Sequence, residues 1–401
     1  MTVVELSAWD ELVVELSAEQ AAAIEREELA NVLAGPSPGI WRVKTGAKVG
    51  VVVGEDWEVR VSPKLQVPHL MFLLAYAADQ QGWRKIVAGF QAEADLFAAI
   101  ASGFSWHATW AIDRNLLRSY VHRDERRVDI RGRIRFGDQL ARGGGLPLPV
   151  EVSYDDFTED VLENRMLKTA ALLLLRLPRV PAAARGRLHR LRSVLEGVEP
   201  LSDWRGVPAP PITRLNQIYE PALRLAELIL AAASLGEKAG HIRSTTFVFD
   251  MNKIFEDFVT AAFRESMRSH GGVVRDQDKA HSLDNARRLK LKPDLSWWTG
   301  SSCLAVLDAK YKAIDDGLMR HDDAYQMLAY CVAYGLPRGY LVYAKDTGQE
   351  SHVHEVRNLP VDIVVSALDV GAEPEALLAQ VEALADEVAA GSRKPPLALA
   401  S

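Results

Sequence analysis

Leu291-Lys292-Pro293-Asp294-Leu295, followed by Val306-Leu307-Asp308-Ala309-Lys310-Tyr311, is the pair of stretches on which the reading of this chain turns. Each sets a carboxylate at the end of an apolar run. If Trp298 to Ser302 turns one strand into the next, Asp294 and Asp308 meet at neighbouring strand positions. Asp308 and Lys310 share a strand face, because side-chain direction repeats every two residues. Two carboxylates beside an ammonium suit one reacting phosphate. Asp294, Asp308 and the Ala309 backbone carbonyl are hard oxygen ligands for Mg2+, with Mn2+ as a substitute, and a cation held there acidifies an attacking water. Lys310 orients or activates that water and stabilises developing charge, and both roles stay open.

Outward from this pair, residues 247 to 268 read as an amphipathic helix carrying Glu256, which can point at the acids as a further metal ligand. Asp257 faces about 100 degrees away around the helix. Strands are expected over 273–275, 289–298, 304–311, 339–344 and 352–356, with a helix over 322–334 whose Gln326 and Tyr330 share a face. Gln326 is an auxiliary contact to phosphate or water, and Tyr330 more simply packs. The alternation predicts an α/β sheet domain over 241–390, and a mobile tail over 391–401.

Upstream, Ile40–Val43, Val51–Val53 and Trp57–Val61 suggest a small antiparallel meander, and Pro68 opens a helix over 70–77. These belong to an N-terminal domain over 1–120. Residues 121–240 read as a largely helical middle region: a strand over 150–157, then helices over 159–177 with Thr158 as cap, 183–196 and 216–235, with a loop over 200–211. A strand through Val128 to Ile134 lies in an arginine-rich segment, where Arg123, Arg126, Arg127, Arg131 and Arg133 are candidates for DNA backbone contact, as are Arg187 and Arg190 in a second basic segment. The fold class is therefore α+β or α/β and multidomain.

Composition narrows the function. The 401 residues carry 47 Lys plus Arg against 54 Asp plus Glu, a formal charge of −7, so no protein-wide cationic coat exists, although a local cationic groove is allowed. Cys303 and Cys331 alone make no disulfide framework and read as reduced core residues of a cytoplasmic protein. No secretory signal and no membrane span are expected. No Walker A loop is present, so no nucleotide site is assigned to this chain; Gly143, Gly144 and Gly145 make a turn.

The ordered acids, the Asp-x-Lys triplet, the preceding acidic helix and the following Gln-bearing helix resemble a PD-(D/E)xK nuclease core. The chain also resembles the McrC family, the nuclease subunit of modification-dependent McrBC restriction systems. The resemblance runs through Val61-Ser62-Pro63-Lys64, Leu70-Met71-Phe72-Leu73-Leu74, Gly132-Arg133-Ile134, Tyr154 to Asp160 and Glu163 to Lys168. It continues through Phe255-Glu256, Pro293-Asp294, Asp308 to Lys312 and Asp323 to Tyr330. It implies a metal-dependent endonuclease that works on DNA with a McrB-like hexameric AAA+ GTPase. The N-terminal domain would contact that motor and stimulate it, base recognition would lie elsewhere, and nuclease domains would self-associate when active. Glu256, Asp294, Asp308 and Lys310 would be the catalytic set.

Other clues weigh less. Asn164, Arg165, Tyr154 and Asp156 read as structural signatures, Trp297 and Trp298 as packing, and His107, His122, His241 and His321 as scattered rather than a nucleophilic site. The competing functions are a noncatalytic adapter that activates an AAA+ motor, and a DNA-binding module that acts without a partner.

Overall fold

The computed structural model describes residues 2–87, 95–141, 148–236, 245–279, 281–311, 321–344 and 351–392. Gly143, Gly144, Gly145, His241, Lys312 and the tail from 393 onward lie outside the described residues. The chain divides into two compact units, one of residues 1–96 with 235–401 and one of residues 97–234.

The chain begins the first unit with β1 (Thr2–Ser7), β2 (Glu11–Glu15), α1 (Ala18–Arg26), β3 (Ala30–Ala34), β4 (Ile40–Thr45), β5 (Lys48–Val53), β6 (Trp57–Ser62), α2 (Val67–Ala78) and α3 (Trp83–Val87). The expected meander is split between two sheets. β5 and β6 are antiparallel, but β4 pairs with β2 and β3 in a separate three-stranded sheet, and β1 adds to β6 in parallel. Ser17 caps α1 through a reciprocal pair with Gln20, which satisfies two orphan amides. Val49, Val51, Val52 and Val59 are fully buried, as alternating and continuous apolar runs in β5 and β6 require.

The second unit holds α4 (Leu96–Arg114), β7 (Ser119–Arg127), β8 (Arg133–Ile134), α5 (Phe136–Ala141), β9 (Val150–Thr158), α6 (Leu162–Leu175), α7 (Ala182–Val194) and α8 (Glu220–Gly236). β7, β9 and β8 form an antiparallel sheet, so this region is less purely helical than its sequence suggests. The expected strand through Val128 is a loop between β7 and β8, because the ladder partners of β9 end at Arg127 and resume at Arg133. Thr158 does not cap α6: its Oγ1 accepts from the Asp160 amide at 3.1 Å, one turn too early, and Val161 is the N-cap. Leu167 and Ala170 on α6, Leu188 on α7, and Leu223 and Ala226 on α8 are fully buried.

The chain then returns to the first unit with β10 (Thr245–Asp250), α9 (Met251–Ser266), β11 (Val273–Asp276), β12 (Leu295–Thr299), β13 (Ser302–Lys310), α10 (His321–Tyr334), β14 (Arg338–Ala344), β15 (His352–Glu355), β16 (Asp362–Leu368) and α11 (Pro374–Gly391). β10 pairs with β5 over its whole length, so the strand that opens the C-terminal part completes the N-terminal sheet. Gly50 allows this approach, since a Cβ there would come 2.4 Å from the Phe247 carbonyl oxygen. α2 and α9 then interlock through Phe72 and Tyr76 against Phe258, with centroids 5.6 Å apart in both pairs. These contacts are why the structure joins residues 1–96 to 235–401, where the sequence suggested separate domains over 1–120 and 241–390. The expected helix from 247 begins only at Met251, because Asp250 accepts the Asn252 amide at 2.9 Å and terminates β10.

The larger sheet runs β11-β12-β13-β14-β16-β15. β11 to β13 are antiparallel, β13, β14 and β16 parallel, and β15 antiparallel. The segment expected to be strand from 289 enters the ladder only at Leu295. α10 covers the face carrying Val306, Leu341, Ile363 and Val365 with Met327, Tyr330 and Cys331. No helix among the described residues is long and apolar enough to cross a membrane.

Candidate active site

The β12–β13 register sets Leu295 opposite Leu307. One step further, Asp294 faces Asp308, and the two buried acids act on each other electrostatically. Asp294 Oδ2 also accepts the Ala309 amide at 2.9 Å. Asp308 is 1% exposed, and the Lys310 ammonium ion-pairs with its Oδ2. Strand periodicity therefore delivers the three groups to one point, as the spacing predicts.

Burial, then the charges of Asp308 and Glu256, push the Asp294 carboxyl up to about 7. Burial likewise raises Asp308, against the opposing pull of Lys310. Desolvation acts to lower Lys310, but the Asp308 charge and hydrogen bond, with Asp294 and Asp323, outweigh it and hold the ammonium above its ordinary value. The pair thus stores carboxylate repulsion that a divalent cation would relieve, and its oxygens are of the kind a hard ion selects.

Glu256 stands on α9 and accepts a hydrogen bond from Gln277 Nε2 at 2.8 Å, with Lys253 Nζ 3.7 Å away. Asp257 turns aside to pair with Lys253 at 2.5 Å. Among the described residues no three His, Cys, Asp or Glu side chains are placed to hold a metal ion together, so in this conformation Glu256 is an electrostatic neighbour of the two-acid pair. The oxygens that a cation would find at this point are the carboxylates of Asp294 and Asp308.

Gln326 Nε2 donates to the Tyr330 hydroxyl at 2.8 Å, and that hydroxyl donates to the Lys292 carbonyl at 3.0 Å. Tyr330 is buried and packs as expected, but it also ties α10 to the segment leading into Asp294. Burial, then Asp308 and Asp294, raise its phenol well above the usual range.

Three neighbours escape the sequence reading. Gln277 and Lys253 hold Glu256, and neither lies in a recognisable pattern. Asp323 is buried, accepts the Tyr343 hydroxyl at 2.8 Å and contributes to the raised Lys310. Its signal was available, since Asp323, Met327 and Tyr330 recur at positions i, i+4 and i+7 of one helix face.

The arginine candidates are mostly engaged by acids. Arg123 meets Asp156 at 3.2 Å, Arg126 meets Glu151 at 2.6 Å, Arg127 meets Glu125 at 3.0 Å, and Arg131 meets Asp156 at 2.9 Å while lying over the Tyr154 ring. Arg133 is exposed in β8. Arg190 pairs with Asp113 at 2.7 Å and Arg187 donates to Ser105 Oγ at 3.0 Å. The first cationic segment is thus largely an ion-pair lattice on an antiparallel sheet.

Asn164 is fully buried and donates to the carbonyls of Leu117 and Glu159, and Arg165 clasps Asp160. Both are structural. Trp297 and Trp298 are buried, with indole donors satisfied by the Gly271 carbonyl and Ser296. His107 is buried, His122 bridges Ser153 and Asp155, and His321 lies against Tyr325.

A family model described as McrBC 5-methylcytosine restriction system component matches residues 43–344. The fold and its acidic strand pair thus occur in a restriction-system component, and the chain belongs to this McrBC family. A chain of the refined half-complex from a tetradecameric assembly of Thermococcus gammatolerans McrB AAA+ hexamers with bound McrC is 17% identical. The match covers 96% of this chain and 100% of that chain at a TM-score of 0.58, which marks a shared fold. A chain of the cryo-EM structure of the Thermococcus gammatolerans McrBC complex is 19% identical over 66% of this chain and 88% of that chain, at a TM-score of 0.41. No curated protein matches the sequence.

Proposed function

We propose that this protein is the DNA endonuclease subunit of a McrBC-like restriction system, with a PD-(D/E)xK core built on the larger sheet. The observation that carries this reading is the meeting of Asp294, Asp308 and Lys310 at one end of the β12–β13 pair. Asp294, Asp308 and the Ala309 carbonyl would hold Mg2+, or Mn2+ in its place, with Glu256 joining directly or through water. The bound ion supplies Lewis-acid stabilisation of the phosphate and a more acidic water.

The chain's own groups do the rest. Asp308 holds Lys310 as a cation beside the reacting phosphate, where it offsets charge developing on the equatorial oxygens. The Ala309 amide orients Asp294, and the chain Gln326–Tyr330–Lys292 braces the segment that carries it. Hydrolysis proceeds by water attack, without a covalent enzyme intermediate.

The partners are DNA and a McrB-like AAA+ GTPase hexamer in the cytoplasm, the N-terminal part of the chain docking on and stimulating the motor. Nuclease domains pair when active. The McrB hexamers with bound McrC in the structurally similar assembly support the docking on an AAA+ motor. The test compares wild type, Asp308→Ala and Lys310→Ala on methylated and unmethylated DNA, with Mg2+ and a McrB-like AAA+ GTPase from the same genome. Cleavage by wild type alone is expected, with GTPase stimulation preserved in all three. Equal cleavage by all three rejects the site. Absence of cleavage in all three, with stimulation preserved, makes the protein an adapter.

A further inference from the structure

Trp106 and Trp110 lie one turn apart on α4 and remain 41% and 40% exposed. Their rings are nearly parallel, at 18° with centroids 6.4 Å apart. One further turn along, the Arg114 guanidinium lies 3.8 Å over the Trp110 ring. Positions i, i+4 and i+8 of a helix fall on one stripe, so three flat groups form a ladder on the surface. The opposite face of α4, with Phe104, Ala108 and Ala111 fully buried, already supplies the core contact. Neither indole is therefore needed to seat the helix.

α7 edges the same ladder. Arg187 reaches Ser105 and Arg190 reaches Asp113, residues that flank the two tryptophans on α4. Arg190 is paired with Asp113, while Arg187 meets a hydroxyl and Arg114 an indole ring, so cationic charge remains beside the stripe.

We propose that this stripe is a stacking platform for single-stranded nucleic acid, its bases lying on the indoles and its phosphates against the guanidinium groups. Aromatic faces accept any unstacked base, and neighbouring cations follow the backbone. A duplex keeps its base faces stacked and meets the stripe only through phosphate. The inference rests on the nuclease reading for the nature of the polymer, but it uses none of the residues of the acidic pair.

The experiment uses the full chain and a fluorescein-labelled twelve-nucleotide oligothymidylate, or the matching duplex, followed by anisotropy. Wild type is expected to bind the single strand more tightly than the duplex. The Trp106→Ala, Trp110→Ala double variant should lose about tenfold or more of single-strand affinity, the scale of a lost base stack. The corresponding double Phe variant should recover most of it, which separates stacking from folding damage. Binding is read without Mg2+ and without cleavage, so a failed cleavage prediction leaves this one independently measurable. Unchanged affinity in the double Ala variant overturns the platform. So does an equal loss for single strand and duplex, or a loss confined to stimulation of the AAA+ partner, which would make the stripe a protein-docking face.

Discussion

The Ala309 amide donates to Asp294 Oδ2 across the β12–β13 pair at 2.9 Å. The backbone of the strand that bears Asp308 and Lys310 therefore orients the acid on its neighbour, and the two halves of the site are locked by the ladder itself. Asp294→Asn keeps an oxygen acceptor for that amide while removing a charge from a crowded acidic pair. Its metal-free melting temperature should match or exceed that of wild type, while cleavage falls by about a hundredfold or more. Thermal scans beside cleavage assays check this. A large loss of stability would mean that the charge itself holds the strands.

On the proposed reading the folded acidic pair holds the ion and the unfolded chain does not, so Mg2+ should raise the melting temperature of wild type in proportion to ln(1 + [Mg2+]/Kd). Asp308→Asn should flatten the response. Equal responses in both proteins would place cation binding elsewhere.

The Asp160 carboxyl is held below its usual range by hydrogen bonds from Arg165, against a smaller desolvation penalty, with help from the Glu199 amide and Arg123. A depressed folded-state value means that this stabilisation is complete above the unfolded value of about 3.9 and is lost as pH falls through the lower folded value. Asp160→Asn should therefore cost about 1.5–3 kcal/mol at pH 7. The difference should shrink towards zero in acid, as pH falls below the unfolded value and through the lower folded one. Urea unfolding at neutral and acid pH measures it, and a pH-independent difference would refute the linkage.

Asn164→Ala should destabilise the second unit by about 1–3 kcal/mol, since the buried carbonyls of Leu117 and Glu159 lose their donor. Specific cleavage per folded molecule should stay unchanged. A loss of cleavage with unchanged stability would instead give Asn164 a functional role.

Gly50→Ala forces a Cβ to within 2.4 Å of the Phe247 carbonyl oxygen, which must part β5 from β10. A cost of about 1–3 kcal/mol is expected. Hydrogen exchange should show loss of protection at both Val51 and Phe247, residues far apart in sequence but paired in the sheet.

The acidic pair was legible because its geometry is local. A hairpin turn and a two-residue repeat suffice to bring Asp294, Asp308 and Lys310 together, and both can be counted along the chain. Glu256 was legible as an acid on the preceding helix, but its restraint by Gln277 and Lys253 was not, since no period links residues 253, 256 and 277. The acidic neighbours of the arginine segment were hidden for a related reason. Counted in sequence it is an excess of cations, but β7 pairs with β9, and that ladder sets Asp155, Asp156 and Glu151 beside the arginines.

The sequence by itself determined the helices with strong apolar periods and the strand pair that brings the acids together, because each depends on spacings of a few residues. Tertiary structure alone decided that β10 closes the N-terminal sheet, that β4 leaves the expected meander and that two indoles stay on the surface of α4. Those outcomes follow from competition among distant backbone edges and apolar faces for partners. A local pattern states that an edge or face must be covered, but which distant segment covers it is settled by the packing of the whole chain.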